Sequence, residues 1–497
     1  MFISAVSTRR TLFGCRFYVT KVRGGNKIYD NANDAIKDIR SSAVYLSGGF
    51  GLCGVPTTLL NAIDKRNDIK SITAVSNNPG VGDKGLAKLL NKEGKVERLI
   101  CSYLGNNKTL EGYYRSGRIA VELTPQGNIA ERVSAAARGI PAFYTPTGYG
   151  TAIESGELVT QYDANSKPIA YQQKREVRMF NGRGHILETS LKADYALIRA
   201  KYADKNGNLV FNNSAHNFNA VFAKAADITI VEAENIVNVG DIPPNEIHVP
   251  GIYVDRICPT ETETDIEILK ASDSDELTGG IRDKIAKRAA RELQDGYYCN
   301  LGVGIPGRVP EFIEKSKKVY IQSENGILGV GSYPQSNNVD PDIINASKET
   351  VTLLPGASSF GSEESFGMIR SGKIDVSLLG AFQVSQTGDL ANFMIPGKLM
   401  KGMGGAMDLV SNPQSTKVII LMEHCDKYGK SKILKTCDLP LTGKECVSQI
   451  ITDLAVFQIN KQTGRLLLTD IAEGVTLDHI KLNTEAEFDI NENIGSF

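Results

Sequence analysis

Apolar positions along the chain follow two periods. Short runs rich in β-branched residues, Ile72-Thr73-Ala74-Val75 and Val319-Tyr320-Ile321, end in the polar turns Ser76-Asn77-Asn78 and Ser323-Glu324-Asn325 and predict buried strands. Elsewhere Ile281, Ile285, Ala289 and Leu293 recur every four residues with Arg and Lys between them, which predicts an amphipathic helix ending before Gly296. Between these regions the pattern stops. From Glu261 to Glu276 there are seven acidic residues, one lysine and little that could enter a core, so the chain breaks near Pro259 into two units joined by an exposed, mobile linker.

The two units share a design. Gly48-Gly49-Phe50-Gly51-Leu52-Cys53-Gly54-Val55-Pro56 and Gly302-Val303-Gly304-Ile305-Pro306 are glycine-rich and end in proline, and each precedes one of the strand-to-turn segments above. Tyr114-Arg115-Ser116-Gly117-Arg118-Ile119-Ala120-Val121-Glu122-Leu123 is matched by Ile369-Arg370-Ser371-Gly372-Lys373-Ile374-Asp375-Val376-Ser377-Leu378. Three matches in one order, about 250 residues apart, are too widely spaced for a solenoid and indicate duplication of a whole domain. A glycine-rich turn, proline at the first helical position and a β-branched strand are the grammar of a βαβ unit, so both units are expected to be α/β with mainly parallel sheets. The expected segments are 1–24, 25–260, the acidic linker 261–280, and 281–497. At matched turns the first unit carries Asn77 and the second Glu324, which suggests one active copy.

Composition narrows the chemistry. Among 497 residues, 56 Lys plus Arg nearly cancel 57 Asp plus Glu, so no basic face for nucleic acid is indicated. Eight scattered cysteines form no C-x-x-C pair, as suits free thiols, and five dispersed histidines show no metal-ligand spacing. No apolar run approaches the roughly 18–20 residues of a spanning helix, so a soluble protein without membrane association is expected. Residues 1–24 differ from the rest. No acidic residue precedes Asp30, whereas Arg9, Arg10, Arg16, Lys21 and Arg23 lie among Phe2, Ile3, Val6, Leu12 and Phe13, the composition of a mitochondrial transit peptide.

Parallel sheets bind ligands at the carboxyl ends of their strands, and Glu324 directly follows such a strand. Ser323 and Asn325 could donate hydrogen bonds to its carboxylate, and Gly326 permits a tight turn. On spacing alone a solvated turn glutamate and a reactive one are equally open. Gln126, in Leu123-Thr124-Pro125-Gln126-Gly127, reads as a loop amide, Lys401-Gly402-Met403-Gly404-Gly405-Ala406-Met407 as a flexible turn, and Cys53 as a small packing residue.

The glycine-rich signature at 48–56 and Ser323-Glu324-Asn325-Gly326, in that order across a two-unit chain, are similar to the signatures of the succinyl-CoA:3-oxoacid coenzyme A transferases. The likeness runs over essentially the whole chain after the leader. It implies a CoA-transferase fold in which two pieces, made as separate proteins in bacterial relatives, are fused. Residues 25–260 correspond to the first piece, and residues 281–497 to the second, which carries the catalytic glutamate. The likeness further implies that Glu324 is a nucleophile passing through a glutamyl anhydride and an enzyme–CoA thioester. CoA moves from succinyl-CoA to a 3-oxoacid such as acetoacetate in ketone body utilisation, with ping-pong kinetics and no metal or redox cofactor, CoA being a substrate. Gln126 and the backbone N–H of Gly405 are implied as oxyanion donors, and Asn300, Lys348, Gly404 and Ala406 as contacts to CoA. A homodimer in the mitochondrial matrix is the corresponding expectation. An acetate-type CoA-transferase or an acyl-CoA hydrolase would share this scaffold. Two more distant readings are a dehydrogenase, because Gly302-Val303-Gly304-Ile305-Pro306-Gly307 matches G-x-G-x-x-G, and a non-catalytic effector-binding protein with two sugar-phosphate-isomerase-like domains.

Overall fold

The computed structural model describes residues 25–105, 107–272, 279–397, 399–461 and 463–497. Residues 1–24, expected to be a transit peptide, and the stretch 273–278 of the acidic linker lie outside the described residues. The first unit contains strands β1 (Val44–Ser47), β2 (Ile72–Val75), β3 (Val96–Cys101), β4 (Ala120–Leu123), β5 (Ala193–Asp204), β6 (Ala226–Val237) and β7 (Arg256–Pro259). They form one sheet in the order β7-β6-β5-β1-β2-β3-β4, with every neighbouring pair parallel. Helix α1 (Gln126–Ala137) follows β4 directly and buries Ile129, Ala130 and Val133. The segment from Ala142 to Thr189 adds two small antiparallel sheets that the sequence pattern does not announce.

In the second unit α2 (Ile281–Ala290) leads into β8 (Tyr298–Leu301), β9 (Tyr320–Ser323), β10 (Ile327–Val330), β11 (Leu353–Ser359), α3 (Ser362–Arg370), β12 (Val376–Leu379), β13 (Lys417–Leu421), β14 (Gln449–Ile451), β15 (Ala455–Asn460), β16 (Arg465–Ile471) and β17 (Phe488–Ser496). The sheet order is β11-β10-β9-β8-β12-β13-β14-β15-β16-β17. Its five middle strands are parallel, and β10, β11 and β15 join antiparallel. The predicted helix is present but ends at Ala290, with Ile285 and Ala289 buried and Ile281 exposed at its start, and Leu293 is buried just beyond its end.

The internal repeat is visible as matched hydrogen bonds. Gly48 N–H donates to Leu197 O (3.0 Å) and Gly302 N–H to Leu378 O (2.8 Å). Val44 N–H is received by the Asp194 carboxylate (2.9 Å) and Tyr298 N–H by that of Asp375 (2.8 Å). The registers Leu46↔Val75 and Asn300↔Gln322 then set Asn77 opposite Glu324. The third sequence match needs correction. Residues 120–123 form the edge strand β4, whereas 376–379 form β12 at the centre of its sheet. The structural counterpart of Lys373–Leu378 is Lys192–Leu197, because both strands lie beside the strand that leads into the glycine-rich turn. The expected proline at the first helical position is missed by one residue in each unit. Pro56 precedes the α-helix Thr57–Lys65, but Ile305–Phe312 is a 3-10 helix containing Pro306 and Pro310. Pro310 lacks the N–H that an α-helix would need there to reach the carbonyl four residues back.

The linker is less detached than its composition suggests. Arg199 donates to Thr262 O (3.0 Å), Lys84 pairs with Asp265 (2.5 Å), and Lys270 and Thr350 exchange two hydrogen bonds (2.9 and 2.6 Å). Residues 261–270 are thus tied to both units, because threonine hydroxyls and backbone groups find partners that charge counting does not reveal. Among the described residues no helix is long and apolar enough to cross a membrane. The largest hydrophobic cluster draws on both units, from Phe218 and Phe222 to Phe366 and Phe457, all fully buried. Phe222→Ala should therefore cost about 3–5 kcal/mol and lower the midpoint of urea unfolding.

Candidate active site

A cavity of about 640 Å³ lies where the strand ends of the two units meet. Phe50, Asn77, Tyr103 and Gln126 follow β1, β2, β3 and β4, while Gly302, Glu324, Gly380 and Met422 follow β8, β9, β12 and β13, and all line it. Each sheet presents its carboxyl edge, the place where an open α/β sheet receives a ligand.

Glu324 is the first residue after β9. The next turn requires Gly326, whose φ is +109° and where an added Cβ would lie 2.1 Å from Phe360 O. The neighbours expected to hold the carboxylate do other work. Ser323 Oγ donates to Asn325 Oδ1 (2.5 Å), and Asn325 Nδ2 donates to Ile344 O (2.8 Å), which fixes the turn rather than the acid. Among the described residues the Gly405 backbone, from a distant loop, approaches the carboxylate closely, and its N–H favours the charged form. Burial and the nearby Asp408 carboxylate push the Glu324 carboxyl up to about 7, against the opposing pull of Lys348 and the Gly405 N–H. A carboxylate in such surroundings is poorly solvated, and so more reactive than one in water.

The loop at 401–405 belongs to the second unit yet is bonded to the first. Leu104 N–H donates to Lys401 O (2.7 Å), Gly404 N–H to Ser102 O (3.2 Å), and Gln126 N–H and Ser102 Oγ to Gly404 O (3.1 and 3.0 Å). Gly405 is thereby pressed against the acid, and a Cβ there would lie 2.1 Å from Glu324 Oε2. Gln126 proves to be the first residue of α1, is 1% exposed, and its Nε2 has no hydrogen-bond partner among the described residues. A buried unpaired donor costs about 1–3 kcal/mol, which suits a site where an oxygen of the reacting molecule completes the bond.

The structure brings Gln126, Glu324, Lys348, Gly404, Gly405 and Ala406 to one cavity. Asn300 is not on its wall. It is buried, and its Nδ2 donates to Gln322 Oε1 (2.6 Å), while Gln322 Nε2 donates to Ser365 Oγ (2.7 Å), so it braces the strand that leads to Glu324. Lys348 Nζ lies 4.6 Å from the Tyr103 ring centroid and 3.9 Å from Glu267. Arg282, Lys401, Lys427 and Lys432 add positive charge to the lining.

Sequence reasoning passes over Asp408, which stands directly behind this wall. It is wholly buried and accepts hydrogen bonds from Gly127 N–H (2.9 Å) and Thr147 Oγ1 (3.0 Å). Arg370 lies 3.7 Å away and also pairs with Glu131 (2.7 Å). The only sequence signal for Asp408 is a lone charge inside the apolar run Ala406-Met407-Asp408-Leu409-Val410. Among the described residues no cluster of His, Cys, Asp and Glu could hold a metal ion. The G-x-G-x-x-G stretch leads into the 3-10 helix, and so lacks the α-helical N-terminus on which a dinucleotide pyrophosphate rests.

Comparison with known proteins gives a consistent result. The family profile described as coenzyme A transferase matches residues 29–259 and 282–483. The mitochondrial succinyl-CoA:3-ketoacid coenzyme A transferase 2A of Rattus norvegicus is 48% identical over 485 residues, covering 96% of this chain and 92% of the relative. One of the subunits of a succinyl-CoA:3-ketoacid coenzyme A transferase from Helicobacter pylori is 56% identical over 210 residues, 42% of this chain and 99% of its own. Among solved structures, the apoenzyme of an acyl-CoA transferase from Escherichia coli O157:H7 superposes with a TM-score of 0.76 at 20% identity, covering 95% of this chain and 96% of that one, a likeness of fold.

Proposed function

The chain belongs to the coenzyme A transferase family, and from the cavity between its two units we propose that Glu324 is the nucleophile of the transfer. The protein is a CoA-transferase that moves CoA from succinyl-CoA to a 3-oxoacid such as acetoacetate, a reaction of ketone body utilisation. The observation that carries the site assignment is the convergence of one desolvated carboxylate and two hydrogen-bond donors, Gln126 Nε2 and Gly405 N–H, on a cavity that opens to substrate.

The Glu324 carboxylate attacks the thioester carbonyl, the C–S bond breaks, and CoA leaves as thiolate, giving a mixed anhydride. The thiolate then attacks the glutamyl carbonyl, which releases succinate and forms the enzyme–CoA thioester. The 3-oxoacid carboxylate repeats these steps in reverse. Each addition places negative charge on an oxygen, and one well-placed donor to it contributes about 3 kcal/mol. Lys348, Gly404 and Ala406 contact CoA in this reading, and Arg282, Lys427 and Lys432 complement its phosphates, while Asn300 supports the strand from below. Every group used comes from the chain or its substrates, so the reaction runs without a resident cofactor. The protein acts as a homodimer in the mitochondrial matrix and binds neither nucleic acid nor membrane.

Incubation with succinyl-CoA and no acceptor, followed by peptide mass mapping, should find the CoA adduct in the peptide containing Glu324. An adduct elsewhere would overturn the assignment, and steady release of free CoA to water would mark a hydrolase instead. Because the folded carboxyl is raised to about 7, it is neutral below that pH and nucleophilic above it. Adduct formation should accordingly be about 30-fold slower at pH 5.5 than at pH 8. A rate flat across this range would exclude a raised acid as the attacking group.

A further inference from the structure

We infer that Asp408 is a positioning residue for the transfer: its buried carboxylate clamps the segment carrying Gln126 against the loop carrying Gly405, so that the two donors, one from each unit, face Glu324 together. The inference rests on Glu324 being the nucleophile. The geometry is specific. Asp408 lies three residues after Gly405, and its carboxylate receives the N–H of Gly127, the residue after Gln126, at 2.9 Å. It also receives Thr147 Oγ1 at 3.0 Å. Gly127 is required for this approach, because a Cβ there would lie 2.2 Å from Asp408 Oδ1. Arg370 stands 3.7 Å from the carboxylate and is itself held by Glu131 of α1 at 2.7 Å, so the clamp continues along the joint between α1 and α3.

A buried carboxylate is a demanding choice for a clamp. Two neutral groups could hold a helix start against a loop without the cost of desolvating a charge. The charge has a second effect that a neutral clamp would lack. Burial and the like charge of Asp408 hold the Glu324 carboxyl up, against the pull of Lys348 and the Gly405 N–H.

Asp408→Asn keeps the shape of the side chain and removes the charge. The variant should lose about 100-fold in kcat with KM for succinyl-CoA changed less than about threefold, as expected when donors are displaced from a developing oxyanion. The acid limb of its adduct formation should also move to lower pH, a shift that a role in folding alone would not produce. Unchanged kcat, or a loss with the acid limb unmoved, would overturn the inference. If Asp408→Asn fails to fold, Thr147→Val decides. It removes one hydrogen bond to the same carboxylate and should lower kcat about tenfold with KM preserved, whereas full activity would overturn the clamp. Mapping the adduct in the parent enzyme keeps the two questions separate: an adduct on Glu324 with an unaffected Asp408→Asn variant defeats only the clamp.

Discussion

Glu324→Ala should reduce CoA transfer by at least about 10⁴-fold, because the variant has no group to carry the acyl anhydride or the CoA thioester. Steady-state transfer from succinyl-CoA to acetoacetate measures the loss, and retention of more than a hundredth of the parent rate would remove Glu324 from the mechanism. The isosteric Glu324→Gln should be equally inactive but more heat-stable. The folded carboxyl is raised from 4.5 to about 7, so the native state disfavours its charge. Stability is lost as pH rises through that interval, and the full cost, on the order of 3 kcal/mol, is present above it. At pH 8 the glutamine variant should therefore melt above the parent, and at pH 4 the two should coincide. An active site that lowers the stability of its own fold is the usual relation between reactivity and packing.

Gly405→Ala has the second largest expected effect. The new methyl would lie 2.1 Å from Glu324 Oε2 and 3.0 Å from Phe366 Cε1, and Phe366 is fully buried. The ring cannot yield, so the carboxylate or the loop must move, and the N–H proposed as an oxyanion donor moves with it. A loss of about 10²–10³-fold in kcat is expected, together with a reduced yield of the Glu324 adduct in single-turnover mass spectrometry. The overall fold should persist, since the loop sits at a cavity wall rather than inside a sheet. Normal kcat in Gly405→Ala would show that the close approach is incidental.

Much of this arrangement was legible in the chain. The glycine-rich turns and the strand-to-turn segments at 72–78 and 319–325 record the order of local elements, and that order survived as matched backbone hydrogen bonds. The pairing of 114–123 with 369–378 misled because a serine-glycine turn followed by an alternating strand is local grammar, repeated wherever a helix feeds a strand. Which strand becomes an edge is decided by partners far along the chain. Glu324 could be placed because the chemistry lies in the motif itself. Asp408 could not, since Gly127 and Thr147 are 281 and 261 residues away and its function exists only once the two units meet. Asn300 sits beside the glycine-rich turn, and its burial beneath the strand follows from the register of β8 with β9, which one sequence does not display.

The joint between the units has a consequence for gene expression. Gln126 and Glu324 come from opposite halves, so neither half alone carries the whole of the proposed centre. The Helicobacter pylori relative spans only 42% of this chain and is named as a single subunit. A cell that makes such halves separately must match their synthesis and let them find each other. The covalent connection through residues 261–280 sets the ratio at one to one in every translated copy. It also keeps the local concentration of each half near the other far above what diffusion supplies, commonly in the millimolar range for a short tether. Dilution on import into a compartment, or a fluctuation in message for one half, then no longer separates the proposed nucleophile from its proposed donors.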